Sequence, residues 1–309
     1  METFFSLLPQ TLVNGLTLGS VYALIALGYS MVYGILKLLN FAHGDIYMIG
    51  AYLGYGVFIM FFTEQGALIP TALIIVLMLV VAMTGAGVIS IVVERFAYRP
   101  LRYAPRIAPL ISALGVSFIL QNMVQITVSP RPLSYGSDTL IPRNAIFELG
   151  DLRIHASRLL VIGAAMIFML FLTYFVRQTR LGRAMRAVST DLDGAAMMGV
   201  DVNQVIVLTF FIGAALAGAG GVLVGIVFFS LRHTMGFLAG LKGFTAAVVG
   251  GIGSMPGAVL GGLLLGLAEA FTSVYLSATY KDVVAFVMLI FILLVKPSGL
   301  MGKPLLQKV

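Results

Sequence analysis

Two charges stand inside stretches that are otherwise apolar. Lys242 lies in GFLAGLKGFTAAVVGG and Glu269 in VLGGLLLGLAEAFTSVY. A charge within such a run is costly unless it faces an interior and finds a partner. If the two stretches are antiparallel helices, each charge lies about six residues, roughly 9 Å, from the same end. The spacing therefore predicts a Lys242–Glu269 intramembrane ion pair. The alternative has Lys242 reaching back to the interface and Glu269 bonding a local hydroxyl such as Thr272. Proton coupling through Glu269 would need a relay, and one carboxylate is thin support for it.

A second polar cluster is Asn40-Phe41-Ala42-His43-Gly44-Asp45, placed where one apolar span ends and the next begins. One reading is a broken helix whose backbone and side-chain groups line or gate a path. The other is a polar turn, with Asp45 favouring a helix N-terminus and Gly44 permitting the bend. His43 and Asp45 are two ligands without companions, too few for a metal site. A second break, Gly250 to Gly257 (GGIGSMPG), adds Gly253 and Pro256 as path or gate candidates. No H-E-x-x-H, G-x-S-x-G or G-x-x-x-x-G-K-[ST] occurs, so neither an intramembrane enzyme nor a phosphate-binding loop is indicated.

The third cluster runs from Arg177 to Gln204. It opens with Arg177, Arg180, Arg183 and Arg186 and continues with Asp191, Asp193 and Asp201. Anchoring on the cytoplasmic side accounts for Arg177 and Arg180. It does not account for Leu192, Ala195, Ala196, Met198 and Gly199, a short semi-apolar helix inside a polar loop. Small residues there let a large partner approach the backbone. Gly199 is placed to end this helix and Asp201 to start the next.

These clusters are strung between apolar spans. The chain of 309 residues is 60% hydrophobic and 10% charged, with a mean hydropathy of +1.05. Soluble chains carry about 25% charge, and several runs exceed the roughly 20 apolar residues that cross a bilayer. The fold class is thus an all-α polytopic membrane protein in one membrane domain, residues 1–309, with about nine transmembrane helices (range about 8–10). Continuous apolar runs are not the alternating segments of a β-barrel. Expected spans cover about 11–35, 44–62, 67–93, 107–128, 159–176, 205–229, two meeting near 250–257, and 283–295. Residues 129–158 read as a small external cap with a hairpin at 147–155 turning at Gly150-Asp151. Residues 177–204 read as a cytoplasmic segment. The two breaks, at 40–45 and 250–257, each followed by a Gly-rich helix, hint at an internal repeat and a central path, with helices there broken or re-entrant.

Charge sets the expected orientation. Lys37, four Arg within 95–106, four within 177–186 and the Lys residues of the C-terminus fall on one side. Arg131, Arg143, Arg153, Arg158, Arg232 and Lys281 fall on the other. Basic residues favour the cytoplasm, which puts the N-terminus outside and the C-terminus inside. The net charge of +7 is explained this way, and no basic face on a soluble fold points to nucleic acid. There is no Cys, so thiol chemistry is excluded. The N-terminus has no basic n-region or A-x-A-like site, so no cleaved signal is expected. Gly213, Ala217, Gly221 and Gly225, and later Gly253, Gly257 and Gly261, form small-residue ladders for close packing, within the chain or between subunits.

Several of these stretches are familiar. Asp193-Gly194-Ala195-Ala196-Met197-Met198-Gly199 resembles the E-A-A-x-x-x-G coupling loop of bacterial ABC importer permeases, in a degenerate form. Residues 15–52, ERFAYRPLR (94–102) and KGFTAAVVGGIGSMPGAVLGGLLLG (242–266) resemble the LivH-type permease of the high-affinity branched-chain amino acid importer. The resemblance implies an inner-membrane subunit that pairs with a second, related permease. Two cytoplasmic ATP-binding subunits and a periplasmic amino-acid-binding protein complete such a system. No cofactor is implied for this chain, since ATP and Mg would be used by the partner ATPases. Coupling would fall to Arg183, Asp193, Ala195, Ala196 and Gly199. Relatives of this family also move urea, amides and other amino acids, and a stand-alone secondary transporter or channel is the rival class.

Overall fold

The chain is described in a computed structural model over residues 2–302, apart from 64, 65, 103, 106, 137–139, 143, 144, 150 and 151. The apolar runs form helices because no water is available there to satisfy open backbone groups. In order they are α1 (Glu2–Leu36), α2 (His43–Phe61), α3 (Thr71–Val93), α4 (Ile107–Thr127), α5 (Ala156–Gln178), α6 (Arg180–Thr190), α7 (Leu192–Met197), α8 (Val202–Phe228), α9 (Met235–Gly250), α10 (Met255–Thr272) and α11 (Lys281–Val295). Among the described residues, seven stretches are long and apolar enough to cross a membrane. The last, Met255–Val295, comprises α10 and α11 either side of a bend, and α9 is a shorter apolar helix. Among the described residues, nine apolar helices and two short ones, α6 and α7, therefore make up the bundle.

Two small hairpins accompany them. β1 (Phe62–Thr63) pairs with β2 (Gly66–Ala67), and β3 (Ile146–Leu149) pairs with β4 (Leu152–His155), both antiparallel. The second is the hairpin expected at 147–155, one residue longer. Its Gly150-Asp151 turn lies outside the described residues, as do Arg106, Arg143, Lys303 and Lys308.

The core is built on α1, α2 and α8, which are mostly buried, while α3, α4, α5 and α11 turn apolar faces outward. Outward residues such as Val76, Val80, Val88, Met166, Ile167 and Leu170 suit a lipid surround. Small residues let the central helices touch backbone to backbone. α10 lies antiparallel along α1, with Gly15 and Gly19 against Leu267 and Leu263, and Gly262 against Ala23. The ladder of Gly213, Gly221 and Gly225 is spent inside the chain, against Gly28, Tyr47 and Tyr135 in turn. Tyr135, from the segment after α4, is fully buried and donates a 2.6 Å hydrogen bond to the Ala51 carbonyl. Part of the expected cap is thus a plug in the bundle, because the glycines of α2 and α8 leave room for a ring.

The α2–α8 contact is close. A methyl group at Gly50 would overlap the backbone of Gly218, and one at Gly218 would lie 2.6 Å from the Ala82 carbonyl oxygen of α3. Overpacking a tight site typically costs about 1–3 kcal/mol. Gly50→Val is expected to destabilise the purified protein by at least that amount, read as a lowered melting temperature in detergent. Gly115→Val, on the open face of α4 where nothing lies within 4 Å, should change it little.

Candidate functional site

The site is built at the end of the bundle that carries α6 and α7. There α1 ends with Lys37 in the left-handed region (φ 55°), its amide donating to the Tyr33 carbonyl. The chain then turns back into the bundle. Asn40, His43 and Asp45 are all buried, at 2, 1 and 0% exposure, so this segment is no surface turn. Asn40 Oδ1 accepts from the Tyr98 hydroxyl at 2.8 Å. The His43 ring meets Tyr29 edge-on at 4.7 Å between centroids. Asp45 accepts from Ser117 Oγ and, at 3.0 Å, from Gln121 Nε2, both on α4. Gly44 rests on Gly236 and Gly240 of α9. Among the described residues, Asn40 Nδ2, His43 Nε2 and the Tyr29 hydroxyl have no hydrogen-bond partner. Three open polar groups in one buried region mark a place where the packing is not fully satisfied.

The second break is the turn between α9 and α10. Gly251 and Gly253 take φ values of 109° and 86°, and Ser254 caps α10 by accepting from the Gly257 amide at 3.2 Å. Pro256 follows in the first turn, exposed, where its missing N–H leaves no helix bond unmade. Gly253 lines a cavity of about 90 Å³ with Ser30, Gly34, Thr209 and two residues of α6, Met185 and Arg186. This break therefore meets the end of α1 and α6, whereas the Asn40–Asp45 break meets α4 and the start of α9.

α6 and α7 are held by local capping. Thr179 accepts from the Gly182 amide, and Asp191 accepts from the Asp193 amide at 3.1 Å. Arg186 donates to the Val176 carbonyl, pinning α6 to the end of α5. Asp193 is exposed in the first turn of α7, beside its cap Asp191. Ala195 is buried, Ala196 is exposed, and Arg183 is exposed on α6. Gly199 ends the turn at φ 81°, its amide donating to the Ala196 carbonyl. Asp201 then caps α8 by accepting from the Gln204 amide. The most prominent side chains were not predicted as a pair: Met197 and Met198 are each 86% exposed. Consecutive Met residues at the end of a short helix are the sequence signal for such a surface.

Lys242 and Glu269 form a further buried cluster. Lys242 Nζ lies 2.8 Å from Glu269 Oε1 and 2.6 Å from Asp282 Oδ1, and the Tyr22 hydroxyl donates to Glu269 Oε2 at 2.9 Å. Both Lys242 and Glu269 are buried, while the Asp282 side chain is 41% exposed. The network thus joins α1, α9, α10 and α11 with one cation between two carboxylates. Asp282 and Tyr22 escaped sequence reasoning, although Asp282 is the sole acidic residue after Glu269.

Basic residues separate by end. Lys37, Arg95, Arg99, Arg102, Arg177, Arg180, Arg183, Arg186 and Lys296 lie at the α6–α7 end, and Arg131, Arg153, Arg158, Arg232 and Lys281 belong to the other half.

The comparisons agree with this architecture. The family model described as branched-chain amino acid transport system, permease component, matches residues 11–293. The chain is 46% identical over 303 residues to the high-affinity branched-chain amino acid transport system permease protein BraD of Pseudomonas aeruginosa, covering 97% of each. It is 44% identical over 316 residues to the corresponding protein LivH of Escherichia coli, covering 100% of each. A solved structure, PsaBC from Streptococcus pneumoniae in complex with Fab, superposes with a TM-score of 0.51 at 13% identity, covering 92% of this chain and 91% of that one. That likeness speaks to the fold alone. With its apolar helices, its capped α6–α7 segment and a family match over nearly its whole length, the chain belongs to the permease components of the branched-chain amino acid transport family.

Proposed function

We propose that this chain moves branched-chain amino acids across the bacterial inner membrane as one permease subunit of an ATP-driven importer. Full-length identity of 44–46% to permeases named for that system supports the substrate class. The observation that carries the coupling role is the α7 surface: two exposed Met side chains flanked by Asp193 and the left-handed Gly199, at the Arg-rich end. A short rigid helix with an adaptable apolar tip is suited to sit in a groove of a partner.

The partners are two ATP-binding subunits, which use ATP and Mg, a second related permease, and a periplasmic amino-acid-binding protein. The excess of basic residues supports a cytoplasmic α6–α7 end, with the C-terminus inside and the N-terminus outside. Closure of the ATPases presses on α7, and the packed helix groups rock between outward and inward openings. Gly253 and Pro256 stand at the cytoplasmic mouth beside the cavity below Ser30. Asn40, His43 and Asp45 act as a gate, holding the returning chain between α4 and α9. The Lys242–Glu269–Asp282 network keeps α11 on the bundle as it moves.

Uptake of labelled leucine into proteoliposomes tests this reading. The vesicles contain this chain, its partner permease, both ATPases and the binding protein. Uptake should require ATP and compete with isoleucine and valine. Uptake that persists without ATP would overturn the importer in favour of a secondary carrier. ATP-driven uptake of urea but not leucine would overturn the substrate.

A further inference from the structure

Beyond α3 the chain continues as a π-helical turn, Glu94–Tyr98, and a short 3-10 turn, Arg99–Leu101. A π turn inside a helix carries an extra residue and often marks a working site. Here the π turn and Arg102, just past the 3-10 turn, present three groups. Glu94 is fully buried and pairs with the Arg102 guanidinium. Arg102 Nη1 also donates to Asn203 Oδ1 at 2.7 Å. Tyr98, 1% exposed, donates to Asn40 Oδ1 at 2.8 Å. A fourth tie runs from Ser112 Oγ of α4 to the Ala97 carbonyl at 3.1 Å.

Asn203 lies in the first turn of α8, four residues after Gly199, so it takes up any displacement delivered to α7. Asn40 opens the buried segment that leads into α2. The end of α3 thus touches both the segment that receives force and the segment that gates. Nothing about residue spacing demands this, since Arg102 and Asn203 are 101 residues apart. A planar guanidinium with five donors can serve a carboxylate and an amide oxygen at once, which a lysine ammonium does with less geometric control. The Arg102 side chain is 14% exposed and Glu94 is fully buried, so water is kept from that pair, while the Asn203 leg lies at the exposed surface and is the one that can open.

We propose that Arg102 is a positioning residue: it clamps the first turn of α8 to the end of α3, so that movement of α7 reaches the Tyr98–Asn40 contact. The proposal rests on the importer reading for its functional consequence, and its structural half stands apart from that reading. Asn203 is the clean place to cut, because Asn203→Ala removes one leg and leaves the buried Glu94–Arg102 pair intact. Asn203→Asp keeps an acceptor and adds charge opposite Arg102.

In the reconstituted complex, leucine taken up per ATP hydrolysed should fall about fivefold or more in Asn203→Ala, the lower range of a coupling free energy between sites. Asn203→Asp should restore it, which a merely structural defect would not do. Hydrogen exchange of the peptide over residues 200–210, read without ATP, should quicken in Asn203→Ala and return in Asn203→Asp. An unchanged uptake ratio in Asn203→Ala, or an equal loss in both variants, would overturn the role in coupling. Unchanged exchange would overturn the clamp itself. ATP-independent uptake by the unaltered complex would overturn the importer reading instead, and the exchange result would still decide the clamp.

Discussion

Met197→Glu together with Met198→Glu is expected to uncouple the permease from its ATPases. Both side chains are almost wholly exposed at the tip of α7, so the substitutions place no charge in the core and leave the fold intact. An interface anchor of this kind is typically worth about 2 kcal/mol or more. That corresponds to about 30-fold in affinity. Copurification of the ATP-binding subunits with this chain reads the effect directly, alongside leucine uptake. Normal copurification and normal uptake would show that α7 does not carry the contact. Gly199→Leu acts differently on the same surface. There is room for its side chain, since nothing lies within 4 Å of the added carbon, but the φ of 81° is strained for any residue with a Cβ. It should shift α7 relative to Asp201 and weaken coupling by less than the double Met variant.

Lys242→Met carries the largest expected loss of stability. It leaves Glu269, 2% exposed, without its cation and within the reach of a second carboxylate, Asp282. Breaking a buried pair by deleting one partner typically costs about 3–5 kcal/mol, because the remaining charge stays buried. Glu269→Gln should be far milder. The amide still accepts from the Tyr22 hydroxyl, and Lys242 keeps Asp282 at 2.6 Å. The double variant Lys242→Met with Glu269→Gln should recover part of the loss. Melting temperatures in detergent give the order, and equal melting of Lys242→Met and the unaltered protein would rule out a stabilising network. Tyr22 lies under Lys242 as well, with Nζ 5.8 Å from the ring centroid, so Tyr22→Phe tests the hydroxyl alone and keeps the ring.

The central helices owe their legibility to composition. A run of about 20 apolar residues has one stable form in a bilayer, so the spans were readable without any knowledge of their neighbours. The same holds for local chain ends. Gly199 and Asp201 mark where α7 stops and α8 starts because a left-handed residue and a side-chain acceptor act within a single turn. The hairpin of β3 and β4 likewise follows from alternation and a turn over a few residues. The Lys242–Glu269 pairing could be anticipated because two isolated charges in apolar surroundings have few alternatives to each other.

What lies between helices was not readable in this way. Whether Asn40–Asp45 is a surface turn or a buried segment depends on α4 and α9, which supply Ser117, Gln121, Gly236 and Gly240. Whether a glycine ladder packs within the chain or against another subunit depends on which helix arrives beside it, and here α1, α2 and Tyr135 do. The hydrogen bonds that tie the site together join residues 72, 101 and 247 positions apart. No periodicity operates over such distances. The sequence by itself determined the membrane class, the course of most apolar helices, the end of α7 and the start of α8, and the family. Only the tertiary structure decided which polar groups meet, because helices in lipid choose their neighbours by shape and by hydrogen bonds made after each helix has formed.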